Sequence, residues 1–335
     1  MLDRLRKYVN IPSVSGDEDA IRCAIIEDIK DYCEYKIDRS GNIIAFKKGQ
    51  KTAKIKLQID AHMDEVGLII TYITDDGYLK FSTVGGIDPR VIFGRRVKIG
   101  DVTGVIGGKA VHMLDAQARK NVIKTDNLYI DIGAKTKASA ETKVSLGDTA
   151  VFDYTYREQG DTVFARAIDD KAGCAILVEM IRNPQPYDMY FTFTVGEEVG
   201  CRGAVTASYT VDAQSAIVVE STTAADIHSV ADENRVCKLS KGAVASFMDN
   251  GTVYDKQYYS KAIEVCDNIQ PKMAVAGGNN ASAIHKSRDG VRTLALSVPC
   301  RYIHSQCCVA NKNDILSVYE NTVKMAEIIA SGELN

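Results

Sequence analysis

No stretch of this sequence approaches the ~20 consecutive apolar residues that a membrane-spanning helix requires. Charge of one sign is equally scarce: 41 Lys and Arg face 44 Asp and Glu, a formal net charge of −3. That balance supplies no electrostatic reason to expect nucleic acid or an anionic membrane surface as partner. Residues Met1-Leu2-Asp3-Arg4-Leu5-Arg6-Lys7 are too charged, and too short of apolar run, to read as a signal peptide. The cysteines, nine in all, are odd in number and include no CxxC pair. They lie in apolar surroundings such as Gly173-Cys174-Ala175-Ile176, where cysteine behaves as a small buried hydrophobe. The adjacent Cys307 and Cys308 are read the same way. A reducing, cytoplasmic setting is the expectation.

What is present is ordinary globular material. Hydrophobic residues make up 45% and charged residues 25% of 335 residues, enough for a large core and for two domains. Ser15-Gly16-Asp17-Glu18 has a capping-box pattern, and Ile21, Ala24, Ile25 and Ile29 then share one helical face. Strands are expected at 42–47 and 55–62. From about Gly67 to Phe164 short β-rich runs alternate with glycines and turns such as Asp76-Gly77 and Val84-Gly85-Gly86. That segment reads as a compact all-β module. Beyond it helices are expected at 169–181, 253–268 and 314–330, and strands at 189–195, 216–219, 273–276 and 293–298. Alternation on both sides of the module predicts one discontinuous α/β domain, residues 1–66 and 165–335, with a parallel-rich sheet and residues 67–164 inserted in it.

Metal-competent side chains gather where apolar strands end, which in open α/β sheets is where ligands bind. In Asp60-Ala61-His62-Met63-Asp64, alternate residues share a face, so one group can ligate a metal while another orients it. His62 taken alone also fits a hydrogen-bonded histidine at the end of a core strand. Ala167-Ile168-Asp169-Asp170-Lys171 ends a strand and opens a helix. Asp170 can serve there as a helix cap, which leaves Asp169 without that excuse. Phe191-Thr192-Phe193 runs into Gly196-Glu197-Glu198-Val199-Gly200, delivering two adjacent carboxylates at a strand end. One ligand plus one general base would need such a pair. Glu220 and His304 each follow a further apolar strand. His112, His228 and His285 lack this company and are read as structural or surface residues. Imidazoles and carboxylates without thiolate suit Zn²⁺, Mn²⁺ or Co²⁺. A carboxylate shared by two ions ~3.5–4 Å apart is a common hydrolytic plan.

These motifs, together with Val84-Gly85-Gly86-Ile87-Asp88 and Tyr129-Ile130-Asp131-Ile132-Gly133-Ala134, resemble the M42 metallopeptidases over nearly the full length. The resemblance implies a mixed-sheet, zinc-peptidase-like catalytic domain with an inserted β-rich dimerisation domain, barrel or PDZ-like. It implies removal of N-terminal residues from short peptides, and dimers that assemble into a hollow dodecamer. Carried over residue by residue, His62 and Glu220 would bind one divalent ion, and Glu198 and His304 the other. Asp169 would bridge them, Asp64 would orient His62, and Glu197 would be the general base. The ions would be two Zn²⁺ or Co²⁺, with Mn²⁺ as an alternative; substrate-binding residues are not assigned. Two positions depart from the family pattern. Glu220 stands where Asp is usual, and Gly277-Gly278-Asn279-Asn280-Ala281 replaces Gly-Gly-Thr-Asp-Ala, an amide for an acid near the expected substrate side.

Three rival readings remain at this point. A metal-free polysaccharide hydrolase of endoglucanase type needs two carboxyls ~5–9.5 Å apart across the bond, and would leave both histidines unused. A metal-binding assembly protein without turnover would be expected to lack the base or a ligand. An N-acyl amino acid amidohydrolase could use the same metal centre.

Overall fold

The alternation within Leu57–His62 sets the architecture. Leu57, Ile59 and Ala61 enter the main core, while Gln58, Asp60 and His62 face the other side of the sheet. Ser215–Thr223 splits likewise, with Ile217 and Val219 in the main core and Ala216 and Val218 in a second. Strands buried on both faces must be covered on both. In the computed structural model, which describes residues 1–334, helices Leu2–Tyr8, Asp19–Ile29, Ile168–Arg182 and Lys312–Ala330 supply the main core. Helices Arg202–Val211 and Ala281–Ile284 supply the second.

The sheet has eleven strands and is mixed. Its centre is parallel: Met189–Thr194, Leu57–His62, Ser215–Thr223 and Arg292–Arg301 lie side by side in that order. Antiparallel strands flank it, Ile43–Lys47 on one side and Cys308–Asn311 on the other. Thr194 lies opposite His62 and Val218 opposite Asp60, so the carboxyl ends of the parallel strands come level.

The inserted segment closes into a six-stranded antiparallel barrel of Gly67–Ile73, Leu79–Val84, Tyr129–Asp131, Val102–Gly107, Arg96–Ile99 and Thr149–Phe152. Its separate core includes Leu68, Ile70, Leu79, Phe81, Val97 and Ile130. Closure removes unpaired strand edges from the barrel itself. The hairpin Arg157–Gln159 and Thr162–Ala165, grouped with the module on sequence, instead extends the large sheet, with Thr162–Ala165 pairing to Cys308–Asn311.

Other expectations shift for identifiable reasons. Helix Asp19–Ile29 has no side-chain cap, because the Ser15 hydroxyl donates to Asp64 at 2.6 Å. The helix expected at 253–268 shortens to Lys256–Val265, with Asp255 accepting the backbone amides of Gln257 and Tyr258. Residues 273–276 form no strand; the nearby strand is Ile269–Pro271. Glu34–Ile37, a short edge strand not expected from the sequence, alternates polar and apolar residues but buries neither face. Among the described residues all nine cysteines are unpaired, and no helix is long and apolar enough to cross a membrane.

Candidate metal centre

Parallel pairing of three strands brings the expected residues together. His62 ends Leu57–His62, Glu197 and Glu198 follow Met189–Thr194, and Glu220 lies in Ser215–Thr223. Asp169 enters from the start of Ile168–Arg182, where its backbone and that of Asp170 are not yet helical; the peptide bond between them is cis. Asp170 accepts the backbone amide of Gly173 at 2.9 Å and so caps the helix proper. Glu65 is held by Arg166 and by the amide of Ser13, and takes no part in the cluster.

The ring of His62 is buried, and its Nδ1 lies 3.1 Å from the backbone oxygen of Asp64. That carbonyl partner assigns the proton to Nδ1. Nε2 then faces Asp169 Oδ1 at 3.2 Å and Glu220 Oε1 at 3.4 Å. His304, reached through a turn after Arg292–Arg301, repeats the plan. Its Nδ1 lies 2.8 Å from the backbone oxygen of Gly86, and its Nε2 faces Glu198 Oε2 at 3.2 Å and Asp169 Oδ2 at 3.6 Å. Asp169 thus turns one oxygen toward each imidazole. Three three-residue groups result, His62 with Asp169 and Glu220, His304 with Asp169 and Glu198, and His62 with Glu197 and Glu198; within each, one donor atom per residue lies within 4.8 Å of the others. Glu197 reaches toward the first, with Oε2 4.0 Å from His62 Nε2.

Asp64 organises this arrangement from below. Its carboxylate accepts the backbone amides of Glu197 and Glu198 at 3.0 and 3.1 Å, accepts the Ser15 hydroxyl, and lies 3.4 Å from His62 Nδ1. The turn Gly196 to Gly200 is permitted by glycines with φ of +63° and +108° at its two ends. The barrel also reaches the site through Gly85 and Gly86. A Cβ at Gly85, whose φ is +79°, would sit 2.7 Å from Val66 Cγ1 and 3.2 Å from Glu198 Cβ. The other histidines stay outside: His285 bonds the Ala281 backbone oxygen, and His112 and His228 are exposed.

The extra methylene of Glu220 does not carry its carboxylate away, since Oε1 remains within 3.4 Å of His62 Nε2. Asn280 does not line the substrate side as the motif comparison suggested. It is buried, and its amide donates to Asp60 Oδ2 and Thr194 Oγ1, each at 2.8 Å. Asn279 does reach the cleft beside the site, where it also bonds the Tyr254 hydroxyl. The buried Asp60 and the Gly86 carbonyl are site-supporting groups that sequence reasoning passed over; a polar residue inside an apolar strand was the available signal for Asp60.

A family model for the M42 glutamyl aminopeptidases matches residues 41–324. The chain belongs to the M42 family. A lysyl aminopeptidase from Pyrococcus furiosus is 30% identical over 340 residues, covering 97% of this chain and 95% of the relative. The solved aminopeptidase from Desulfurococcus kamchatkensis superposes with a TM-score of 0.93 at 28% identity, covering 99% of this chain and 96% of that one. The TET1 peptidase of Pyrococcus horikoshii, which can assemble into a tetrahedron or a large octahedral shell, gives a TM-score of 0.84 at 35% identity and 98% coverage of both chains. This M42 chain is accordingly an aminopeptidase, a hydrolase of peptide bonds.

M42 peptidases are metallopeptidases that use divalent ions, and the donor chemistry of this chain fits them. With each Nδ1–H spent on a carbonyl, both Nε2 lone pairs point at carboxylate oxygens, which repel them unless a cation or proton lies between. The carboxylates are also in surplus over the imidazoles. Burial pushes Glu197 up to about 7, despite the opposing effect of His62, and the charges of Glu198, Asp169 and Asp64 add to the rise. Burial likewise raises Glu198 and, more strongly, Glu220, where the charge of Asp169 contributes. Burial works against charging His304, yet its bonds to Asp169 and Glu198 lift it to about 11. Glu220 and Asp169 raise His62 against burial in the same way. Asp169 itself is lowered: burial would raise it, but bonds from His304 and His62 prevail.

Proposed function

We propose that this chain removes N-terminal residues from short peptides with two divalent ions, Zn²⁺ or Co²⁺, with Mn²⁺ as an alternative. In this reading His62 and Glu220 hold one ion, Glu198 and His304 the other, and Asp169 is shared. The observation that carries it is the pair of His-carboxylate groups meeting at the two oxygens of Asp169. When bound, the ions would supply Lewis acidity toward water and the peptide carbonyl. Glu197 takes the proton from the attacking water and returns it to the departing amine, a role favoured by a carboxyl pushed up toward neutrality. Asp64 fixes the tautomer side of His62 and the positions of both glutamates. The surrounding carboxylates provide negative charge for a free α-ammonium group.

We further propose that the barrel-bearing segment 67–164 mediates self-association, to a dimer and from there to a dodecamer, around a catalytic domain of residues 1–66 and 165–335. Similarity to a shell-forming peptidase supports this; an open barrel edge does not, because the barrel is closed. Nine unpaired thiols fit a reducing cytoplasm. The deciding assay is a panel of aminoacyl-p-nitroanilides after loading with Zn²⁺, Co²⁺ or Mn²⁺, run beside N-acetylated peptides. Turnover of free-amine substrates that is lost on chelation is expected. Turnover restricted to blocked substrates, or indifferent to chelator, contradicts the reading.

A further inference from the structure

Backbone bonds fix where the Glu197 side chain starts but not where its carboxylate points. Its amide donates to Asp64, and its carbonyl accepts the amides of Gly200 and Cys201, each at 2.9 Å, which closes the turn. A glutamate keeps rotamer freedom beyond such anchors. Among the described residues, one side chain donates a hydrogen bond to that carboxylate. It is Cys201, whose Sγ lies 3.6 Å from Glu197 Oε1. The other oxygen, Oε2, is the one turned toward His62.

The turn itself places Cys201 for this contact. The residue stands four positions after Glu197 and immediately before helix Arg202–Val211, with φ of +54°. Its sulfur is held from behind by Ser282, whose hydroxyl donates to Sγ at 3.5 Å. Ser282 lies in the short helix Ala281–Ile284 and is seated against Gly251, where a Cβ would come within 2.6 Å of the serine Cβ. Burial and the charge of Glu197 push the Cys201 thiol up to about 12, so it keeps its proton at neutral pH and is the donor. A thiol is a weak donor, so it orients a carboxylate without neutralising it as a lysine or arginine would. Glu197 lines the metal-centre cleft, whereas Cys201 and Ser282 line a separate surface cavity of about 790 Å³ together with Gly200, Val205 and Tyr209. The pair stands between the glutamate and a second body of solvent.

We propose that Cys201, held by Ser282, is a positioning residue for Glu197: its thiol fixes Oε1 and thereby aims Oε2 at the attacking water. The proposal rests on Glu197 being the general base and adds the groups that orient it. A thiol that only filled space behind the turn would act on stability. One that aims the base acts on the chemical step, where small misplacements are costly.

The experiment measures kcat, KM, Tm and bound metal for metal-loaded wild type, Cys201→Ala, Cys201→Ser, Ser282→Ala, Glu197→Gln and the double variant Cys201→Ala/Glu197→Gln. Alanine and serine both keep a Cβ at residue 201, so the left-handed backbone costs the same in each. Cys201→Ala should lower kcat by roughly 2–10-fold, with KM and metal content unchanged. The loss is modest because water from the surface cavity can replace the donor without fixing the carboxylate. Cys201→Ser, which keeps a donor, should recover most of the difference, and Ser282→Ala should lose less than Cys201→Ala. On the Glu197→Gln background, Cys201→Ala should cost nothing further. Crystal structures of metal-loaded wild type and Cys201→Ala give a readout independent of turnover: the Glu197 carboxylate should hold one orientation in the first and occupy several in the second. An unchanged kcat in Cys201→Ala beside an impaired Glu197→Gln overturns the proposal and leaves the base assignment standing, whatever happens to Tm. Equal losses in Cys201→Ala and Cys201→Ser, or a full-sized loss on the Glu197→Gln background, overturn it as well. If Glu197→Gln keeps the wild-type rate, the base assignment itself fails and the proposal falls with it. If no substrate is turned over, the two-metal reading fails, and the orientation of Glu197 in the two structures still decides the role of Cys201.

Discussion

Asp64 accepts the backbone N–H of Glu197 at 3.0 Å through Oδ1, the same oxygen that lies 3.4 Å from His62 Nδ1. One buried carboxylate therefore sets both an imidazole and the segment that delivers two glutamates. Asp64→Ala should leave the amides of Glu197 and Glu198 without their acceptor. Each stranded buried donor costs about 1–3 kcal/mol, and loss of such an outer partner typically weakens metal binding about 10–100-fold. Thermal unfolding and metal analysis on the variant check both effects; unchanged Tm together with unchanged metal content would contradict the role given to Asp64.

The adjacent glutamates should fail in different ways. Glu197→Gln keeps the two His-carboxylate groups but removes proton transfer, so kcat should fall by roughly 10²–10⁴-fold with metal content retained. Glu198→Gln places a neutral amide opposite His304, 3.2 Å away in the native protein, and should lose one ion. Excess metal should rescue it in part, and should not rescue Glu197→Gln. Metal loss from Glu197→Gln with full retention by Glu198→Gln would reverse the assignment.

Metal removal should make stability fall with rising pH. Glu197, Glu198 and Glu220 have carboxyls raised above their unfolded values, and His62 and His304 are raised too. Each binds protons more tightly folded than unfolded. The carboxylates impose their cost as pH rises from about 4.5 through 7, and the histidines lose their contribution from about 6.5 up toward 11. Asp169, shifted the other way, has its effect below this range. Divalent ions require the same ligands deprotonated, so their affinity should rise over that interval. The Tm gap between metal-loaded and chelated protein should widen from about pH 5.5 to 8.5. A gap that narrows would contradict the buried acidic cluster as the metal site.

Much of the site was legible in the sequence because most of the ligands lie near or just past the carboxyl end of an apolar strand, and parallel strands align those ends. Thr194 opposite His62 and Val218 opposite Asp60 realise that alignment. Less legible were contacts that cross long sequence separations. The Gly86 carbonyl that orients His304 lies in the barrel, 218 residues away in sequence. Ser15 read as a helix cap because local pattern cannot reveal that Asp64 captures its hydroxyl. Asn280 looked substrate-facing from its motif, yet it is turned to the buried Asp60 and Thr194 on the polar side of the sheet. The hairpin at 157–165 was placed in the barrel because its strands look alike; only their pairing with Cys308–Asn311 distinguishes them.

The sharing of Asp169 between two ions is the central claim, and metal stoichiometry of single variants tests it most directly. Wild type should carry about two ions per chain. His62→Ala and His304→Ala should each retain about one, and Asp169→Ala, which removes an oxygen from both groups, should retain almost none and lose activity. A wild-type protein that saturates at one ion, or an Asp169→Ala variant that keeps both, would contradict the account.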